Sequence, residues 1–125
     1  MTNVRFDYLY RDAGNYKKWG AVIFSNSNEY TLGAAHDLLM AAFSPDGLFA
    51  AEQIRIPELF SYSKGNATSD DHCFHEFNSI AHTTEHINDH YSRSIGEFLA
   101  EVQKESRRGW TVFNPHESAY GRLVK

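Results

Sequence analysis

The densest run of side chains able to do chemistry is HCFHEFNSIAHTTEHINDH, residues 72–90. Five of the chain's seven histidines fall in it, with Glu76, Glu85 and Asp89 among them. Imidazole, thiolate and carboxylate are all zinc donors. His82, His86 and His90 are spaced by four and would form one chelating stripe on a helix. Ile80 and Ala81 just before them read as strand, however, and helical periodicity resumes only after His90. Outside a helix the spacing carries no geometry, so these three are expected to be solvated linker histidines and no metal is expected. In Asp71-His72-Cys73-Phe74-His75-Glu76, neighbours on a strand point to opposite faces. His72, Phe74 and Glu76 then share one side, and Cys73, His75 and Phe77 the other. The donors do not converge on one ion. A Cys73–His75 thiol–base pair is conceivable, but residues two apart on a strand seldom orient for proton transfer. The plainer expectation is a half-buried strand whose polar groups face a pocket or a partner.

A second stretch, YLYRDAGNYKKW (residues 8–19), carries recognition chemistry. Arg and Lys hold phosphate or carboxylate, Arg bidentately. A tyrosine ring can stack on a flat ligand, and Asn or Asp can read its polar edge. The alternative is an ordinary hairpin tip in which Asp12 and Asn15 fold back on the backbone. The chain has no glycine-rich phosphate loop, no P-loop lysine and no G-x-S-x-G nucleophile motif.

These residues need elements to position them. Residues 3–11 alternate: Val4, Phe6, Tyr8 and Tyr10 on one face, Arg5, Asp7, Leu9 and Arg11 on the other. Residues 12–16 form a turn, with Gly14 and Asn15 able to take positive φ. Residues 18–25 make the second strand, Trp19, Ala21 and Ile23 against Val22 and Phe24. Thr31 is a helix N-cap, followed by Leu32, Ala35, Leu39, Ala42 and Phe43 at helical spacing. Ser44-Pro45-Asp46-Gly47 is a turn. Residues 48–56 read as a third strand ended by Pro57, residues 61–71 as a loop, and residues 73–81 as a fourth strand. A last helix runs from Asp89 or Ser92 to Arg108, with Ile95, Phe98, Leu99 and Val102 as its apolar stripe. Its terminal arginines suit the helix dipole, and Gly109 is its stop. Residues 110–113 add a short strand or pack on the sheet edge.

The order β-β-α-β-β-α predicts an α+β, two-layer domain: a mostly antiparallel four-stranded sheet with two helices on one face. One domain is expected over residues 1–113, with residues 114–125 a tail or arm. The chain's 125 residues suffice for a core without staples, and its 42% apolar and 22% charged residues are those of a globular chain. A net charge of −4 argues against general nucleic-acid binding. A single cysteine excludes an intrachain disulfide and a four-cysteine zinc site. No leader-like segment and no run long enough to span a membrane is found; the expected location is the cytoplasm. Aromatics at 14% exceed what one small core absorbs, and with the sheet edges they point to a homodimer or larger homo-oligomer.

Three segments carry a resemblance: YLYRDAGNYK (8–17), EQIRIPELF (52–60) and DHCFHEF (71–77). They resemble a family of small bacterial and phage proteins with Y-L-Y-R-D-x-x-N-Y-K, E-Q-x-x-[IL]-P-x-L-F and D-H-C-[FW]-H-E-F segments. The likeness covers roughly the first 80 residues of the chain. It implies no catalytic residues, and His82, His86 and His90 lie outside it.

The function expected from the sequence is therefore non-enzymatic binding of a small anionic, nucleotide-like ligand, without a cofactor. Tyr10, Arg11, Asn15, Tyr16 and Lys17 would form the site with His75 and Glu76. Sequestering a signalling nucleotide in phage counter-defence is one setting. The alternatives are a small hydrolase or lyase with His75 as acid or base, and an interaction module that blocks a larger partner.

Overall fold

The computed structural model describes residues 2–43, 45–62 and 66–115. Strands β1 (Asn3–Arg11) and β2 (Lys17–Phe24) form an antiparallel hairpin. The tip turns through Asn15 at φ 67°, a left-handed conformation that asparagine tolerates. Helix α1 (Leu32–Ala42) begins as expected at Thr31, whose hydroxyl accepts from the Ala34 N–H. Strand β3 (Leu48–Phe49), strand β4 (His75–Thr83) and helix α2 (Ile95–Arg108) follow. The four strands lie in the order β2-β1-β4-β3, every pair antiparallel. Both helices pack on one face, the α+β architecture expected.

That face is built from the even-numbered side chains of β1. Val4, Phe6 and Tyr8 meet Phe24 and Val22 of β2, and Leu39 of α1 and Ile95, Phe98, Leu99 and Val102 of α2 close over them. Phe24 and Phe98 stack with centroids 4.3 Å apart. Burying a side chain of this size contributes about 1.5–3 kcal/mol.

Three local expectations need correction. Residues 48–56 are not one strand. Only Leu48 and Phe49 pair with β4; Ala51–Ile54 forms a 3₁₀ turn and Arg55 is left-handed, φ 57° and ψ 46°. The cause is tertiary. The Arg93 guanidinium takes the carbonyls of Ile54 and Arg55, which a continuing strand would have given to a neighbour. The last helix starts neither at Asp89 nor at Ser92. Ser94 is its N-cap, in a reciprocal capping box with Glu97, while Ser92 has φ 54° and Asp89 binds Arg93. Residues 110–113 form no strand; the Trp110 ring lies 5.9 Å from that of Phe43.

A fourth correction concerns alternation in β4. Its register against β1 shifts between Asp7 and Tyr8, so that Tyr8 opposes Phe77 while Asp7 opposes Ser79. Asn78 is the extra residue of a bulge. Phe77 and Ile80, which strict alternation puts on opposite faces, therefore both pack toward the core. Of the three histidines expected in a linker, His82 instead belongs to β4, while His86 and His90 do lie between β4 and α2. Among the described residues no group of three His, Cys, Asp or Glu side chains is placed to hold a metal, and no helix is long and apolar enough to cross a membrane. Ser44, part of loop 61–71 and most of the predicted tail 114–125 lie outside the described residues.

Candidate functional site

The seven side chains expected to form one site are divided by the sheet. Arg11 and Glu76 stand on the face away from the helices, Tyr10 and His75 on the helix face. Strand parity causes the division: Arg11 follows Arg5, Asp7 and Leu9, while Tyr10 follows Val4, Phe6 and Tyr8.

On the outer face Arg11 is oriented from two sides. Its Nε and Nη2 donate to the two carboxylate oxygens of Glu76 at 3.2 and 3.1 Å, and its Nη1 donates to Asn15 Oδ1 at 2.6 Å. The pair is part-exposed, at 38% for Arg11 and 29% for Glu76. Asn15 reaches Arg11 because the turn is tight: the Asp12 carboxylate accepts from the Tyr16 N–H, and the Asn15 N–H donates to the Asp12 carbonyl. Lys17 lies directly across from Arg11 in the hairpin register. The Tyr16 ring is 77% exposed beside it. Four of the expected residues, Arg11, Asn15, Tyr16 and Lys17, thus gather at the tip, with Glu76 joining from the neighbouring strand.

Tyr10 and His75 do not belong to that group. Tyr10 is fully buried, its hydroxyl donating to Asp71 Oδ1 at 2.6 Å and accepting from the His72 N–H at 3.2 Å. Burial, with the Asp71 carboxylate adding to it, pushes the phenol far above its ordinary range. Its ring offers no stacking surface, which corrects the expectation that it would contact a ligand. His75 is 1% exposed and sits among Tyr8, Tyr10, Phe49 and Phe60. Its Nε2 accepts from the Leu59 N–H at 2.7 Å, so that nitrogen carries no proton. His75 holds the 57–60 segment to the sheet from the face opposite Arg11.

His72, absent from the expected set, has a comparable positioning role. Its Nδ1 accepts from the Phe74 N–H, which leaves Nε2–H to donate to the Arg11 carbonyl at 2.6 Å. The 66–72 segment is further tied to the hairpin by the Ala13 N–H donating to the Asp70 carbonyl. The signal for these ties was the polar run 70–72 itself, but their partners are about sixty residues away and had no local trace. Because Tyr10, Asp71 and His72 form one buried unit, Tyr10→Phe should leave both the Asp71 oxygen and the His72 N–H unsatisfied. It is expected to lower stability by about 1–3 kcal/mol, measured by urea unfolding.

A shallow groove of about 390 Å³ lies next to this unit, lined in part by His72, Cys73, Phe74, Val112 and Phe113. Neither Arg11 nor Glu76 lines it. No family model, no curated protein and no solved structure matches the chain.

Proposed function

We propose that the protein binds a small anionic, nucleotide-like ligand at the hairpin tip without transforming it, and that its role is to sequester such a ligand. The observation that carries this is the state of Arg11. A guanidinium has five N–H donors, and three of them hold it against Glu76 and Asn15. The remaining two meet no partner among the described residues and, on a part-exposed and already oriented group, are available to an oxyanion at low ordering cost. Lys17 supplies a second cation on the same face, and the exposed Tyr16 ring a surface for a flat base. Glu76 keeps Arg11 in place and limits its net attraction for anions, so the ligand must add contacts beyond charge alone.

A hydrolase or lyase reading finds less support. The side chain assigned as its acid or base, His75, is buried on the other face of the sheet and bonded to backbone.

The test is a nucleotide panel incubated with purified protein, separated by ultrafiltration and quantified by mass spectrometry before and after heat denaturation. A nucleotide retained by the protein and released intact on heating is the expected result. Release in altered form would replace sequestration with catalysis, and passage of the whole panel would remove the nucleotide reading. Arg11→Ala should weaken retention by about 10- to 100-fold, the size of one or two charge-assisted hydrogen bonds. Glu76→Gln should strengthen it, because Arg11 then keeps its charge uncompensated; weaker binding in Glu76→Gln would count against anion recognition here.

A further inference from the structure

The outer edge of β2 is covered along one half and open along the other. The backbone groups of Ile23 face away from β1: its N–H donates to Asn88 Oδ1, and its carbonyl accepts from the Asn88 and Asp89 N–H groups. Beyond it, Ser25 bridges Ser94. Backbone direction alternates along a strand, so Lys17, Trp19 and Ala21 also point their N–H and C=O groups outward. No protein partner meets those groups among the described residues. The Trp19 side chain, directly beside this open edge, is 56% exposed. Unpaired strand edges are templates for another strand, and here the template ends where residue 88 takes over.

We propose that a second copy of this chain pairs with it there, β2 to β2, antiparallel about a two-fold axis at Trp19. In this register Trp19 faces Trp19 of the other copy, and Lys17 of each copy faces Ala21 of the other. Every outward group of residues 17, 19 and 21 then gains a partner. Lysines on an edge ordinarily oppose pairing, but Lys17 and Lys18 here face Ala21 and Gly20, not each other. Charge favours the arrangement. Ala21 lies opposite Asp7 in the hairpin register, and among the described residues Asp7 and Glu85 share one cation, Arg5. At a strand spacing of about 4.8 Å, Lys17 of one copy crosses the small Ala21 of the other and reaches toward that acidic pair. The assembly closes at two copies. Asn88 blocks extension past residue 21, and the opposite sheet edge, β3, is only two residues long. Lys17 is common to this inference and to the ligand-binding proposal, but Trp19 lies outside the ligand site, so its variants test the pairing separately.

Sedimentation of the full chain tests it, together with crosslinking at chosen positions. The wild-type protein should sediment with twice the mass of the chain. Trp19→Lys sets like charges directly opposite each other and should yield monomer with an unchanged far-UV CD spectrum. Ala21→Pro removes an outward N–H at an edge position where proline is tolerated and should do the same. If Ala21→Pro does not fold, Trp19→Lys decides alone, since its side chain is exposed. Under mild oxidation Trp19→Cys should crosslink to itself, because Cα atoms about 5.5 Å apart in a hydrogen-bonded pair fit a disulfide. Lys17→Cys mixed with Ala21→Cys should crosslink, and neither should do so alone; wild type is the control, its one cysteine being buried. A monomeric wild type at every attainable concentration overturns the proposal. So does a dimer that survives Trp19→Lys, or one in which Trp19→Cys does not crosslink.

Discussion

Arg93→Ala is expected to lower unfolding stability by about 3–5 kcal/mol, the cost of breaking a buried ion pair from one side. Arg93 is 5% exposed and Asp89 6%. The guanidinium donates to both Asp89 oxygens at 2.9 Å, to Glu101 at 2.8 Å, and to the Ile54 and Arg55 carbonyls at 2.9 Å. It joins the 84–94 segment, the 3₁₀ turn and α2 at one point. Alanine would leave Asp89 charged in a buried site and two carbonyls without donors. Urea unfolding measures the loss, and a change below about 1 kcal/mol, the range of exposed ion pairs, would show that water replaces the network.

The same network sets an acid limb. Burial works against ionisation of Asp89, but the Arg93 hydrogen bonds outweigh it and hold the carboxyl below its ordinary range. Glu101 is lowered chiefly by its hydrogen bond to Arg55, with Arg93 acting against the cost of burial. Groups with depressed folded values contribute stability that is complete above the unfolded carboxylate range. That stability is lost as pH falls through the folded values. Wild-type stability should therefore decline on acidification more steeply than that of Arg93→Ala, which has lost the Asp89 part of this linkage and keeps the Arg55–Glu101 part.

Phe6→Ala is expected to cost about 3–5 kcal/mol as well, by a different mechanism. Phe6 is fully buried at the centre of the middle strand. Its ring lies 5.2 Å from Phe98, 5.4 Å from Phe77, 5.6 Å from Tyr8, 6.0 Å from Phe49 and 6.3 Å from Phe43. These come from four strands or helices and a helix cap, so truncation opens a cavity that no single element can collapse to fill. Guanidinium unfolding should show a shifted midpoint with an unchanged slope. Tyr16→Ala, at the exposed tip, is the contrast and should stay within about 0.5 kcal/mol of wild type.

Much of this architecture could be read locally. The hairpin, the Thr31 cap and the stripe of Ile95, Phe98, Leu99 and Val102 rest on alternation, capping chemistry and helical spacing, which are properties of neighbouring residues. The errors arose where distant residues decide. Arg93 ended the third strand early by taking its carbonyls, and no feature of residues 48–56 announces that. The bulge at Asn78 exists only in relation to β1, so plain alternation along residues 73–81 puts Ile80 on the face opposite Phe77, where it does not lie. The candidate site was partly legible: Arg11, Asn15, Tyr16 and Lys17 are close because a tight turn makes them so. Separating Tyr10 and His75 from them was within reach, because Tyr10 shares the parity of Val4, Phe6 and Tyr8.

The strand order carries a consequence for how the chain is made. The centre of the sheet joins β1, at the beginning of the sequence, to β4, whose first residue is His75. During synthesis β2 can pair with β1 at once, but the other side of β1 has no partner until β4 has been produced and has left the ribosome. For that interval Val4, Phe6 and Tyr8 are held on a two-stranded ribbon without their lid, since α2 emerges later still. A two-stranded hairpin is marginal in water, and apolar surface exposed in this way is what chaperones bind and aggregates recruit. The nascent hairpin, rather than the finished fold, is the state in which this protein is most vulnerable.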